Sequence, residues 1–220
     1  MSPRLSFENE LRNLKQAILE MSEHVVHAYE ILIKGLDEKN ELALKQVMES
    51  DHMVNDMQRA IEARCLTLLT KQTPVARDLR LVSAALKVVT DIERIGDHAS
   101  DIAELLIHMQ MPDLNQYSEH FTDMLGKAVV MIKRSADAFV SEDSEEAKAL
   151  SVLEDEMDNY FCVIREDIIL HLKQEERDVD GFVDALMIAK YLERVGDHAV
   201  NVCEWEGFQE TGIIEEYRIL

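Results

Sequence analysis

The segment ERIGDHASDIAE, Glu93 to Glu104, returns as ERVGDHAVNVCE, Glu193 to Glu204. A long acidic string that occurs twice in a chain of 220 residues indicates an internal duplication. The chain has only 7 glycines and 3 prolines, and aromatic residues make up 5% of it. Such a composition is typical of long helices and not of sheets. We therefore expect an all-α protein built from two similar halves.

Apolar residues recur at spacings of three and four around both strings, and such a heptad seam is typical of helices that pack at shallow angles. In the first half the seam comprises Leu81, Ala85, Val88, Ile92, Ile95, Ala99, Ile102, Leu106 and Met109. In the second half it comprises Ala185, Ile188, Leu192, Val195, Ala199 and Val202. The two seams are in phase, so each string belongs to the same helix of its half.

Breaks at charged and proline-containing segments divide the chain into six predicted helices. The predicted helices span about 5–36, 41–71, 74–110, 114–140, 144–174 and 182–206. The fold class that follows is two tandem three-helix bundle repeats with up-down, coiled-coil-like packing. The predicted repeats are residues 1–111 and 112–207, and residues 208–220 form a short C-terminal tail.

The charge balance limits the partners of the chain. With 44 acidic and 23 basic residues, its net charge of −21 disfavours nucleic acid and anionic membranes and favours cations or basic protein surfaces. No segment approaches the ~18 apolar residues of a membrane span, so we expect a soluble, cytoplasmic protein without membrane insertion. The three cysteines, Cys65, Cys162 and Cys203, have no paired spacing and are predicted to be small buried hydrophobes.

Each string carries oxygen-bearing side chains four residues apart. The first row consists of Glu93, Asp97 and Asp101, and the second row consists of Glu193, Asp197 and Asn201. Residues four apart lie nearly above one another on a helix, and both rows flank the seam without entering it. Like charges crowded in this way are unfavourable unless a cation lies among them. Gly96 and Gly196, beside the rows, are predicted to leave room for a close neighbour or an ion.

The preceding helix of each half carries a matching pair, Asp51 with Asn55 and Glu154 with Asp158. If this helix packs antiparallel to the next, oxygen ligands from two helices converge, which suits Mg, Mn, Fe or Zn ions. The alternative is a solvated acidic face, the usual role of such residues in an acidic bundle. The residues alone leave both possibilities open.

Other side chains near the rows have simpler interpretations. His98 and His198 are turned about 100° away from the rows and are predicted to be surface or partly buried imidazoles. Arg94 is predicted to pair with Asp91 or Asp97, and Arg194 with Asp197. In neither string does a histidine stand three residues after the glutamate, because Gly96 and Gly196 occupy those positions. No nucleophile elbow or phosphate-binding glycine loop occurs, so a binding protein is favoured. A metal-dependent enzyme, a metal-storage bundle and a plain helical scaffold are the alternatives.

Together with TPVARDLRLV (73–82) and ESDHMVNDMQRAIEARC (49–65), the doubled string resembles the PhoU family of phosphate-transport regulators. The resemblance covers essentially the whole chain. It implies a homodimeric two-repeat bundle that is a negative regulator of phosphate-starvation genes. The expected partners are the ATPase subunit of a phosphate ABC transporter and a sensor histidine kinase.

The resemblance also implies multinuclear clusters of divalent or trivalent metal ions on the acidic rows, with Fe, Zn, Mn or Mg left open. It matches the pairs on the preceding helices to the family's second-helix positions. Asn201 is a neutral ligand where the first row has Asp101, so the second site is expected to bind its ion differently or more weakly. Arg77 and Arg80 match a signature before the third helix, and together with Arg94 and Arg194 they are weaker candidates for partner binding.

Overall fold

The computed structural model describes residues 3–71, 75–109, 111–142, 146–173 and 179–213. The described residues form helices joined by short connections, without a strand among them. The helices are α1 (Pro3–Glu38), α2 (Glu41–Lys71), α3 (Ala76–His108), α4 (Met111–Ser141), α5 (Glu146–Lys173) and α6 (Val179–Thr211). The prediction of an all-α fold with six long helices is confirmed.

Both predicted seams lie in the core. Every residue of the first seam on α3 and of the second seam on α6 is buried. The spacing of three and four turns these residues toward one side of each helix, where their apolar side chains leave water. The seams therefore make α3 and α6 the two central helices of the molecule.

The two halves lie side by side through these central helices. On facing positions, Asp91 of α3 lies beside Asn201 of α6, while Asp101 is bonded to Tyr191, so the two helices run antiparallel. Helices α1 and α2 pack on α3, helices α4 and α5 pack on α6, and α1 also packs on α4. This agrees with two antiparallel three-helix units.

The end of the sixth helix differs from its predicted position near Glu206. Helix α6 continues to Thr211, because Trp205 and Phe208 pack edge to face at 5.7 Å and Gln209 is buried. It ends at Gly212, whose positive φ of 74° suits glycine and whose N–H donates to the carbonyl of Phe208 at 2.8 Å. Residues 214–220 of the predicted tail lie outside the described residues, and the predicted repeat boundaries stay predictions.

One of the three cysteine predictions was wrong. Cys65 and Cys203 are buried, and burial raises the pKa of each thiol to about 12, as expected of inert core cysteines. Cys162 is exposed on α5, and its apolar neighbour Val163 is exposed as well, so an apolar sequence neighbourhood did not indicate burial there. In the part of the chain that the structure describes, no helix is both long and apolar enough to cross a membrane.

Candidate functional site

The first row lies along α3 at the edge of the core, facing α2. The exposed fraction of its side chains rises from 14% at Glu93 through 31% at Asp97 to 46% at Asp101. The row thus emerges gradually from the bundle toward solvent. This agrees with the prediction that the row flanks the seam.

Helix α2 brings a further carboxylate to this row. The negative charge of Asp51 helps to raise the pKa values of Glu93, Asp97 and Asp101. Asn55 donates from Nδ2 to Asp51 Oδ2 at 2.9 Å, whereas Asp51 Oδ1 is buried and has no hydrogen-bond partner within the described part of the chain. The predicted second-helix pair therefore does meet the first row, and one of its oxygens is left without a donor.

The second row on α6 is built similarly, and like the first row it has a basic side chain beside it. Lys190 donates from Nζ to Glu193 Oε1 at 2.6 Å, and its charge also acts on Asp197. The carboxylate of Asp158 on α5 helps to raise the pKa values of both acids of this row. Glu154 lies one turn before Asp158 on the same helix and is half-buried. Lys190 was not predicted, although its spacing of three from Glu193 on the same helix is a signal that could have found the pair.

Burial is the largest cause of the raised pKa in all five acids of the two rows, which are Glu93, Asp97, Asp101, Glu193 and Asp197. Neighbouring carboxylates raise these pKa values further, so each row binds a positive charge favourably. With the orphaned oxygen of Asp51, this donor set fits a hard cation that accepts oxygen ligands. In the described ranges, no group of three His, Cys, Asp or Glu side chains is already arranged as a metal site.

The two glycines beside the rows make room for apolar side chains. A Cβ added at Gly96 would lie 3.1 Å from Val54 Cγ1 and 3.6 Å from Val25 Cγ2. A Cβ added at Gly196 would meet Met131 and Met157 only at 3.7 Å. The predicted close neighbour is therefore an apolar side chain of an adjacent helix. It is close at Gly96, whereas Gly196 would admit a Cβ at ordinary contact distance.

A polar cluster joins the two halves between the rows. His198 Nδ1 lies 2.9 Å from Asp91 Oδ1, and Asn201 Nδ2 donates to the same oxygen at 3.4 Å. His98 is buried, its ring centroid is 5.8 Å from that of His198, and burial lowers its pKa to about 4. His98 Nδ1 is 3.8 Å from Asp101 Oδ2, too long for a hydrogen bond. The histidines thus belong to the interface between the halves.

This cluster ties each row to the opposite half of the molecule. Asp101 of the first row accepts a hydrogen bond from Tyr191 of α6, and Asn201 of the second row donates to Asp91 of α3. Asp91 and Tyr191 are equivalent positions of the duplication, and so are Asp101 and Asn201. The two links are therefore related by the repeat, but the donor and the acceptor have exchanged places. Sequence reasoning missed these links because they require the register of α3 against α6.

The predicted arginines fall into two separate regions. Arg94 pairs with Asp97, its Nη1 lying 3.3 Å from Oδ2, as predicted, and Arg194 is exposed on α6. Arg77 bonds Glu142, and Arg80 Nε donates to the carbonyl of Gln209 at 3.1 Å, both at one end of the bundle. Partner binding by these four residues stays a prediction.

A family model described as the PhoU domain matches the chain twice, over residues 18–106 and 121–205. The chain belongs to the PhoU family. It is 30% identical over 210 residues to a phosphate-specific transport system accessory protein PhoU homolog of Clostridium acetobutylicum, spanning 95% of this chain and 96% of the relative. It is likewise 30% identical to PhoU homolog 1 of Thermotoga maritima, over 96% of this chain and 92% of the relative.

Solved PhoU structures have the same fold. The crystal structure of the phosphate transport system regulatory protein PhoU from Streptococcus pneumoniae matches 96% of this chain with a TM-score of 0.87 at 27% identity, and all of that chain is covered. PhoU from Pseudomonas aeruginosa matches 94% of this chain, again over all of its own length, with a TM-score of 0.85 at 25% identity. Both PhoU repeats are therefore present in this chain with their usual fold.

Proposed function

We propose that this PhoU chain is a cytoplasmic accessory and regulatory protein of phosphate transport. The observation that carries this proposal is the near full-length match, in both repeats, to proteins named as phosphate-specific transport system accessory proteins. The chain acts as a non-enzymatic adaptor and forms a homodimer. It works with the ATPase subunit of a phosphate ABC transporter and with a sensor histidine kinase, and it restrains phosphate-starvation genes when phosphate is plentiful.

The acidic rows are proposed to hold metal ions. Glu93, Asp97 and Asp101 with Asp51 supply the oxygens of the first site, and Glu193 and Asp197 with Asp158 supply those of the second. A bound cation would neutralise the crowded carboxylates and so join α2 to α3 and α5 to α6. Because the neutral Asn201 stands where the first row has Asp101, the second row has one carboxylate fewer and should bind its ion more weakly.

Deletion of the gene tests the regulatory role. Expression of phosphate-scavenging genes should rise in high phosphate when the chain is missing and should return to normal when it is supplied again. The matched comparison is the same strain under phosphate starvation, where deletion should change little. Unchanged expression under both conditions would contradict the adaptor function.

Metal content tests the acidic rows. Protein purified without chelator or added metal should carry more than one ion per chain, and Asp97→Ala/Asp197→Ala should lose it. A suitable control is Asp37→Ala/Asp137→Ala, which removes two exposed carboxylates that are also separated by one repeat length. Equal metal content in the two double variants would count against the rows as metal sites but would leave the adaptor role standing.

Co-purification tests the partners directly. The tagged chain should retain the transporter ATPase subunit and the sensor kinase from extracts that contain them. If Asp97→Ala/Asp197→Ala retains both partners but loses metal, the ions brace the bundle. If it loses the partners as well, the rows or their ions form a docking face.

A further inference from the structure

A cavity of about 460 Å³ lies at one end of the bundle, apart from the acidic rows. The N-terminal part of α1, the start of α3, the turn after α4 and the end of α6 meet there. Its volume is within the range of pockets that hold small molecules. Leu11 and Leu81 form the apolar part of its wall, and the other lining residues are polar or charged.

Three basic side chains line this cavity in a chain whose net charge is −21. Arg12 and Lys15 come from one turn of α1, and Arg77 comes from the first turn of α3. Lys15 Nζ donates to Glu142 Oε1 at 2.8 Å, and Arg77 donates to the other oxygen of the same carboxylate. An anion from the protein itself, Glu142, therefore occupies the space between two cations.

Another lining residue of the cavity is buried and, among the described residues, has one polar atom without a hydrogen-bond partner. Gln209 on α6 lines the cavity, is only 3% exposed, and its Oε1 has no hydrogen-bond partner among the described residues. A buried acceptor without a donor is unfavourable, because it has lost its hydrogen bonds to water. The cavity therefore lacks a donor at this point. A ligand that carries both negative oxygens and an O–H group would satisfy the two sides together.

The start of α3 adds further positive potential. Its N-cap residue, Val75, has an apolar side chain and makes no side-chain cap hydrogen bond. The first amides of a helix have no partner within the helix and favour a nearby anion. Arg77 lies in this first turn, so its guanidinium and the free amides of the helix start both contribute positive potential at this end of the cavity.

We propose that this cavity binds inorganic phosphate, which displaces Glu142 from Lys15 and Arg77. The phosphate oxygens accept from Arg12, Lys15 and Arg77, and the remaining P–OH donates to Gln209 Oε1. Glu8 and Asp78 also line the cavity, so its three cations face two carboxylates once Glu142 has moved away. The net positive charge is then small, and binding should be modest and sensitive to salt. This site does not depend on metal at the acidic rows.

Calorimetric titration of chelator-treated full-length protein with inorganic phosphate tests the proposal. Glu142→Gln removes the internal competitor but keeps the size of the side chain, so it should tighten phosphate binding by about tenfold or more. Lys15→Gln/Arg77→Gln should weaken binding by a similar factor or abolish it. Lys45→Gln, an exposed lysine paired with Glu41 on α2, is the matched control and should leave the affinity unchanged.

Sulfate provides the second comparison, because at neutral pH it has the shape of phosphate but no O–H donor. Wild-type protein should prefer phosphate, and Gln209→Leu should reduce that preference. The proposal is overturned if neither wild type nor Glu142→Gln binds phosphate at millimolar concentration. It is also overturned if Glu142→Gln binds no more tightly than wild type, or if Lys15→Gln/Arg77→Gln binds as wild type does. The choice of phosphate as the anion rests on the proposed function in phosphate transport. Because phosphate binding is measured on purified protein and the regulatory role by gene deletion, failure of one is distinguishable from failure of the other.

Discussion

At the residue scale, the acidic rows combine a regular helical spacing with carboxyl groups whose pKa values are raised by burial. Their spacing of four was sufficient to predict that Glu93, Asp97 and Asp101 share one side of a helix, because helix geometry alone decides it. The same geometry indicates the pair of Lys190 with Glu193, which are three residues apart. The link from Tyr191 to Asp101 could not be predicted in this way, because it depends on the register of α6 against α3 in the folded molecule.

Replacing Asp97 with Asn should stabilise the metal-free protein at neutral pH. Burial raises the pKa of Asp97 above its ordinary value of 3.8, so its contribution to stability is complete below that pH and is lost as the pH rises through the higher folded-state pKa. Asp97 is 31% exposed and partly screened, so the gain should be small, with a rise in Tm of about 1–3 °C.

Thermal unfolding with chelator, followed from pH 7 down toward the ordinary Asp pKa, measures this effect. The difference in Tm between Asp97→Asn and wild type should shrink as the pH falls. Added metal should reverse the order, because only the wild type keeps the full ligand set. A difference that is constant with pH would contradict the assigned cause.

The glycines beside the rows should respond differently to alanine. Gly196→Ala places a Cβ at ordinary contact distance and gains helix propensity, so it should stabilise the fold by about 0.5–1 kcal/mol. Gly96→Ala gains the same propensity but meets Val54 at 3.1 Å, so it should be the less stable of the two variants. Urea unfolding of both metal-free variants measures the difference. Equal gains would show that Val54 moves aside without cost.

At the element scale, the heptad seams predicted the two central helices, since every seam residue is buried. The helix ends were less predictable, because tertiary contacts decide them. Glu206 was the expected end of α6, yet the packing of Trp205 on Phe208 carries the helix past Gly207. The exposure of Cys162 was similarly hard to predict, because apolar residues such as Val163 also lie on the exposed side of α5.

The link between Asn201 and Asp91 should be specific to that pair. Asn201→Asp would place a carboxylate beside the half-buried Asp91 and should destabilise the metal-free protein by about 1–2 kcal/mol. Adding Asp91→Asn should restore most of this loss, because the pair then again joins a donor to an acceptor. Urea unfolding of the single and double variants should give a coupling energy of at least about 1 kcal/mol. Additive effects would show that the two side chains do not interact in solution.

At the scale of the whole molecule, the two repeats form one folding unit. Helix α3 packs on α6 and α1 packs on α4, and hydrogen bonds from Lys15 to Val140 and from Ser22 to Ile132 cross between the halves. An isolated half would expose the apolar surfaces of two of its helices to water. The duplication in the sequence predicted two similar units, but it could not show how much each unit relies on the other.

Separating the halves at the connection between α3 and α4 should therefore abolish independent folding. Residues 1–109 and 111–220, expressed alone, should aggregate or unfold without a cooperative transition. Expressed together, they should associate into a complex with the helix content of the intact chain. Circular dichroism and size-exclusion chromatography measure both results. A cooperative transition in either half alone would contradict the single folding unit.

The exchanged donor and acceptor at the repeat interface restrict how this chain can be assembled. Two copies of the first half would bring Asp91 against Asp101, one carboxylate facing another. Two copies of the second half would bring Tyr191 against Asn201 and would remove both carboxylates from the interface. The halves have thus become complementary, as the subunits of a heterodimer are. Only the first half is thereby barred from pairing with a copy of itself, because Tyr191 and Asn201 can each donate and accept. The peptide link thus keeps the two carboxylates of the first half beside the donors that only the second half supplies.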